Sequence, residues 1–268
     1  MTVPVDWKQA AVAITPGFEV SGDPYLGVSG DFDGMGISCG ALQWNIGQGS
    51  LQPMVKNVGK AVVVSAMPTI GSDMWTACTT SIPKGLAIVR SWQTGTKLKP
   101  GPKSELRALM GTPEMRAQQD QRIDKVAASA LKSATDWMSA QGKGAATKRL
   151  FCWFFDLITQ NGGLEGLAPK DVADFINAHG PGLADDAICN FLEAVPGTKG
   201  HAKDAHQNGS LWRNKVDDEK LEILTMSYLR SNTANPLWRH VVLNRKGTIA
   251  MGSGWVNSTK YDFAKYGL

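Results

Sequence analysis

Apolar side chains recur at helical spacing along most of this chain. Leu51, Met54, Val55 and Val58 fall at i, i+3, i+4 and i+7, and Ile123, Val126, Ala127, Ala130, Leu131 and Ala134 keep the same rhythm over about three turns. Both segments predict amphipathic helices. Residues 150–158, LFCWFFDLI, are apolar on every side except at Asp156, the pattern of a helix running through the middle of a protein. Further helices are predicted near 169–178, where Pro169 suits a first turn, and near 183–194, 217–231 and 236–245. Residues 58–67, VGKAVVVSAM, are β-branched enough for a strand and apolar enough to finish a helix, and the pattern leaves both open.

Strand signals are few. The best lies between Tyr25 and Ile37, where Gly27, Gly30, Gly34 and Gly36 break the chain into short extended pieces joined by turns. The stretch KLKPGPKSE, residues 97–105, has two prolines and a glycine and predicts a connection between lobes. No internal repeat is visible. The expected fold is mainly α, of the α+β kind: one domain over residues 1–268, in two lobes, with a small β-hairpin region. A chain of 268 residues buries a substantial core without a partner.

Composition narrows the function classes. The hydrophobic share is 43% and the charged share 19%, as in ordinary globular proteins. No segment reaches the roughly 18 consecutive apolar residues of a membrane span, so no membrane insertion is expected. The net charge of +4 is spread along the chain with no long Lys/Arg run, which gives mild attraction to anionic surfaces and no case for a nucleic-acid partner. At the N-terminus, Asp6, Lys8 and Gln9 interrupt any apolar run of signal-peptide type. Cys39, Cys78, Cys152 and Cys189 are far apart and show no metal-binding spacing; buried free thiols are expected, with one or two disulfides as the alternative. His179, His201, His206 and His240 form no HExxH motif. No metal and no cofactor is expected.

The chemistry concentrates in residues 17–50, GFEVSGDPYLGVSGDFDGMGISCGALQWNIGQGS, where Glu19 precedes a glycine-dense segment carrying Asp31 and Asp33. Acidic residues in glycine turns are most often solvated turn residues. Two carboxyl groups in unlike environments are also what glycosidic-bond cleavage needs: one protonates the leaving oxygen and the other activates water or stabilises the transition state. Glu19, beside Phe18 and Val20, suits the acid, since an apolar setting raises a carboxyl pKa. Asp33, in the turn DFDGMG, suits the hydrated and ionised partner, and glycine lets the chain pass close to an extended polymer.

The segment Asp33–Gly40, DGMGISCG, resembles the D-G-x-G-aromatic-Thr-x-G segment of the chitosanases in the lysozyme-like superfamily, with Ile37 in place of the aromatic residue and Ser38 in place of the threonine. GALQWNIGQGS is similar to the glycine and Leu/Met-Gln signature that follows the hairpin in goose-type lysozymes and lytic transglycosylases. FDLITQNGG, residues 155–163, is similar to a further chitosanase segment. The C-terminal LRSNTANPLWRHVVLNRKGTIAMGSGWVNSTKYDF resembles the closing segment of bacterial peptidoglycan-hydrolase domains, including those of type VI secretion effectors. The likeness spans most of the chain and leaves residues 60–145 without a placed motif.

The resemblance implies a lysozyme-like two-lobed helical fold with the hairpin at the active-site cleft. It implies Glu19 as general acid, Asp33 as general base, and Ser38 as a hydroxyl helping to hold the attacking water. Inversion at the anomeric carbon would place the carboxyls roughly 6.5–9.5 Å apart. Asp31 is the alternative second carboxylate, two residues from Asp33. Gln43, Trp44 and Asn45 are candidate substrate-binding residues, with Trp44 either stacking on a sugar or filling core. Gln160 and Asn161 either reach the cleft or cap their helix before Gly162, capping being the favoured role. Asp156 needs a buried partner among Arg230, Arg239 and Arg245, and the matching chitosanase aspartate belongs to a salt-bridge network behind the active site.

The expected activity is hydrolysis of peptidoglycan glycan strands, as a muramidase or N-acetylglucosaminidase. The alternatives are a chitosanase or chitinase, a lytic transglycosylase, a non-catalytic wall-binding module and, least favoured, a thiol hydrolase using Cys39. A basic chain suits the anionic wall better than cationic chitosan. An enzyme of this kind without a signal peptide is expected to reach its substrate by a non-classical route, type VI secretion into a neighbour's periplasm or phage-like lysis. Its producer would then carry a periplasmic immunity protein.

Overall fold

The structure, a computed structural model, describes residues 2–18, 22–180 and 182–268. The fold is mainly helical with small antiparallel sheets, and it divides into two compact units. One unit comprises the chain up to Phe18 together with Val126–Leu268, and the other comprises residues 19–125. No helix among the described residues is long and apolar enough to cross a membrane.

Helix α1 (Val5–Gly17) opens the chain. The unit of residues 19–125 then carries β1 (Val28–Ser29), β2 (Ser38–Cys39) and β3 (Trp44–Asn45), which form one antiparallel sheet in the order β1-β2-β3. Register pairs Ser29 with Ser38 and Ser38 with Asn45, while Val28 pairs with Cys39 and Cys39 with Trp44. Cross-strand partners share a face, so a polar row, Ser29-Ser38-Asn45, lies on one side and an apolar row, Val28-Cys39-Trp44, on the other. The glycine-rich segment therefore does supply strands, with the second and third falling after Ile37.

Helices α2 (Gln52–Val58) and α3 (Lys60–Ala66) follow, broken from one another by Gly59. Residues 60–66 are thus helical and not a strand, with Val63 and the C-cap residue Met67, one turn apart, both fully buried. Next come α4 (Gly71–Thr79), α5 (Ile82–Ser91), the hairpin of β4 (Gln93–Thr94) with β5 (Lys97–Leu98), and α6 (Pro100–Gly111). The expected lobe connection at 97–105 is corrected here. Pro100 and Pro102 occupy the first turn of α6, where a missing N–H costs nothing, and the whole stretch lies inside this unit. The division between units falls instead within α7 (Pro113–Ala140), after Lys125, and before residue 19.

In the other unit α8 (Lys148–Asn161) is buried at every position from Leu150 to Leu157. Thr147 caps its start by accepting from the Leu150 N–H at 3.1 Å, and Gly162, with φ at 78°, ends it in the left-handed conformation. After it come α9 (Pro169–His179), α10 (Ala184–Glu193), α11 (Gly200–Trp212), α12 (Asp218–Ser231) and α13 (Arg239–Met251), and α8 packs chiefly on α1 and α13. The Trp153 indole of α8 donates to the Ser227 hydroxyl of α12 at 2.9 Å. The helix expected at 236–245 begins as a 3₁₀ turn, Pro236–Trp238, and continues to Met251. A closing hairpin pairs β6 (Ser253–Val256) with β7 (Thr259–Asp262). All four cysteines are buried and free, as expected of core thiols.

Candidate active site

The loop joining β1 to β2, residues 30–37, carries two of the three candidate carboxylates. Asp31 is tied down at every end. Its carboxylate accepts from Arg90 Nε at 2.6 Å and from the Gly36 N–H at 2.6 Å, and its own N–H donates to Gln93 Oε1 at 2.9 Å. Arg90 Nη2 also reaches the Gly34 carbonyl at 3.2 Å, and Gln93 Nε2 donates to the Gly36 carbonyl at 2.8 Å. Partial burial pushes the Asp31 carboxyl up, but the Arg90 guanidinium and the Gly36 N–H outweigh it and hold the group below the usual carboxylate range. Gly30 lets this happen: a Cβ there would sit 2.1 Å from the Thr96 carbonyl oxygen, so only glycine lets the loop press against the β4–β5 turn.

Asp33 is placed differently. It is exposed at the loop tip, and its carboxylate accepts one short-range bond, from the Met35 N–H at 3.1 Å. Among the described residues no ion pair engages it. This geometry favours Asp33 over Asp31 as the open carboxylate: the Asp31 oxygens bond Arg90 and the Gly36 N–H, and Asp31 braces the loop that carries Asp33. Glu19, the expected acid, lies outside the described residues.

Ser38 sits in the polar row of the sheet and is 3% exposed, so it belongs to the sheet and not to the exposed loop. The three candidate substrate-binding residues all have partners within the fold. Gln43, at φ 56°, uses its amide within the turn, donating to the Gly40 carbonyl at 2.9 Å and pairing with the Ser29 hydroxyl at 3.1 Å. Asn45 accepts from the Gln48 N–H at 2.8 Å and donates to the Gln48 side chain at 3.1 Å, closing the turn after β3. Trp44 is 8% exposed in the apolar row, close against Gly40, and takes the core role. Cys39 is fully buried, and burial pushes its thiol well above the ordinary range, so it does not offer a thiolate.

In the other unit Asp156 is fully buried and doubly paired. Arg245 approaches it with Nε at 3.0 Å and Nη2 at 2.8 Å, and the Lys246 ammonium bonds its second oxygen. Burial pushes the Asp156 carboxyl up, but these two cations overcome it and hold it at about 2. Lys246 is lowered, first by its own burial and then by the neighbouring Arg245 cation, against the pull of Asp156. Arg245 was among the expected partners; Lys246 was not. Arg230 is corrected: it donates to the Gly163 carbonyl at 2.7 Å and to the Asn161 carbonyl at 3.2 Å, satisfying the open end of α8. Arg239 lies over the Phe191 and Tyr228 rings at 4.1 and 4.7 Å. Asn161 thus takes part in the helix end through its backbone, beside the Gly162 cap, and Gln160 is exposed on the last turn.

The same network grips the end of α1. Arg245 Nη2 donates to the Thr15 carbonyl at 2.9 Å, and its guanidinium lies 4.8 Å above the Phe18 ring. The closing hairpin adds Tyr261 Oη to the Gly17 carbonyl at 3.1 Å and Asn257 Nδ2 to the Phe18 carbonyl at 3.0 Å. Phe18, the residue before Glu19, is thereby fixed by ring packing on Tyr261 and Phe263 and by its own carbonyl. The hairpin had a signal in the sequence, Asn257-Ser258 between alternating residues, and both take positive φ, 53° and 63°, as a tight hairpin turn requires.

Among the described residues no group of three or more His, Cys, Asp or Glu is arranged to hold a metal. Comparison with protein-family models, with curated proteins and with solved structures gives no match.

Proposed function

We propose that this chain is a glycoside hydrolase of lysozyme-like fold that cleaves the glycan strands of bacterial peptidoglycan, with Glu19 as general acid and Asp33 as general base. The observation that carries the reading is the division of labour on the 30–37 loop. Asp31 is locked to Arg90 and the Gly36 N–H, and this braces a loop whose tip leaves the Asp33 carboxylate open to solvent. A general base needs a free carboxylate held still, and bracing supplies that without consuming the reactive group. In the reaction Glu19 gives its proton to the glycosidic oxygen as the bond to the anomeric carbon breaks. Asp33 takes a proton from the water whose oxygen bonds that carbon from the opposite face, giving inversion. Support for Glu19 comes from its apolar sequence neighbours, Phe18 and Val20, a setting that raises a carboxyl pKa. The net charge of +4 suits an anionic wall.

Delivery by a type VI or phage-like route, and a periplasmic immunity protein that covers the Asp33 loop, belong to the same proposal. The test is digestion of purified peptidoglycan beside chitosan, with the fragments analysed by mass spectrometry. Reducing-end muropeptides from the wall support the proposal; cleaved chitosan beside intact wall makes the chain a chitosanase, and anhydro products make it a lytic transglycosylase.

A further inference from the structure

The sequence left Trp44 either stacking on a sugar or filling core, and the structure buries it. The aromatic that the same region does expose is Phe32, between Asp31 and Asp33 at the loop tip. It is 72% exposed, and among the described residues only one other aromatic, Trp238, is comparably open. A phenylalanine left in water forgoes the gain of burial, and turns of this kind accept Ser, Asn or Asp at no such cost. Looseness does not account for the exposure. The residue before it is held through its N–H by Gln93 and through its carboxylate by Arg90 and Gly36, and the residue after it bonds the Met35 N–H. The ring is carried on a braced backbone, next to the one carboxylate of the loop that no cation neutralises.

Resting on the hydrolase reading above, we propose that Phe32 is the platform on which the sugar ring beside Asp33 stacks, and that this ring is an N-acetylated amino sugar. The flat aromatic face meets the C–H face of a pyranose, an apolar contact that a short rigid side chain makes with little loss of freedom. The acetylated form follows from the proposed wall substrate, whose glycan carries acetamido groups. Asp31 is paired with Arg90, so the charge the loop leaves free is the single Asp33 carboxylate, reserved on this reading for the attacking water. An acetamido group carries no charge and brings a methyl to the apolar side.

The experiment compares wild type, Phe32→Ala and Phe32→Trp in steady-state digestion of peptidoglycan, with thermal unfolding of each. It adds direct binding of N-acetylglucosamine oligomers and of their deacetylated counterparts. Phe32→Ala is expected to raise KM roughly tenfold with kcat little changed and the melting temperature kept, and Phe32→Trp to restore KM, the size expected of one aromatic contact. An unchanged KM in Phe32→Ala, or equal loss in both variants, overturns the stacking role. Tighter binding of the deacetylated oligomer overturns the assignment of the acetylated sugar. If wild type releases no fragments, the hydrolase reading fails by itself. Oligomer binding then decides the stacking: loss in Phe32→Ala upholds it, and no change overturns it.

Discussion

Asp156 and Asp31 are each bound by an arginine, and they serve opposite ends. Asp156 is sealed in the core with Arg245 and Lys246, and every oxygen is used. Its charge holds together α8, α13 and the end of α1. Asp31 lies near the surface with a single half-exposed arginine, and what it secures is a loop whose next carboxylate, Asp33, is left open. The buried cluster shows a carboxylate consumed by scaffolding, whereas the loop shows one consumed so that its neighbour is free. Under the proposed hydrolase reading, the candidate base is the loop carboxylate without a cation, and not the most strongly perturbed one.

The largest expected effects separate the two regions by kind. Asp33→Asn should lower wall hydrolysis about 10²–10⁴-fold, the usual contribution of a general base, while thermal unfolding stays at the wild-type temperature. Asp156→Ala should do the reverse, leaving the Lys246 ammonium buried without its anion. A destabilisation of about 3–5 kcal/mol, and a melting temperature lower by roughly 10 °C, is expected in calorimetry. Asp31→Asn stands between them: a loss of about 1–2 kcal/mol with activity reduced through the unbraced loop. If it abolished activity at unchanged stability, Asp31 would be the reacting group and the contrast would break.

The pH dependence sharpens the same contrast. Asp156 is held at about 2 against an ordinary 3.8, so its contribution is present above the ordinary value and is lost as pH falls through the lower one. Denaturant unfolding between pH 5 and pH 2 should show wild type losing this increment, and Asp156→Asn, already without it, showing a shallower decline. The smallest effect is assigned to Tyr261→Phe, which removes the hydroxyl on the Gly17 carbonyl: about 1 kcal/mol, seen as faster hydrogen exchange at the end of α1.

The sequence made the long apolar stretches legible. Residues 150–158 became α8, with the Thr147 cap and Gly162 stop where the side chains suggest them, and Asp156 found Arg245 as its burial demands. Local chemistry misled where tertiary packing overrode it. Pro100, Gly101 and Pro102 look like a linker and open α6, and Trp44, left between sugar platform and core by the sequence, fills the underside of a small sheet. Lys246 was passed over because a buried lysine is rare, and only the fold shows it paired. Phe32 had no signal at all, since exposure of a single aromatic depends on a loop geometry set by Arg90 and Gln93, some sixty residues on.

The central claim is that Glu19 and Asp33 together hydrolyse peptidoglycan glycan. Muropeptide release measured side by side for wild type, Glu19→Gln and Asp33→Asn, all folded by thermal unfolding, tests it most directly. Release by wild type, with both variants down at least a hundredfold, is the predicted result; undiminished release by either variant contradicts it.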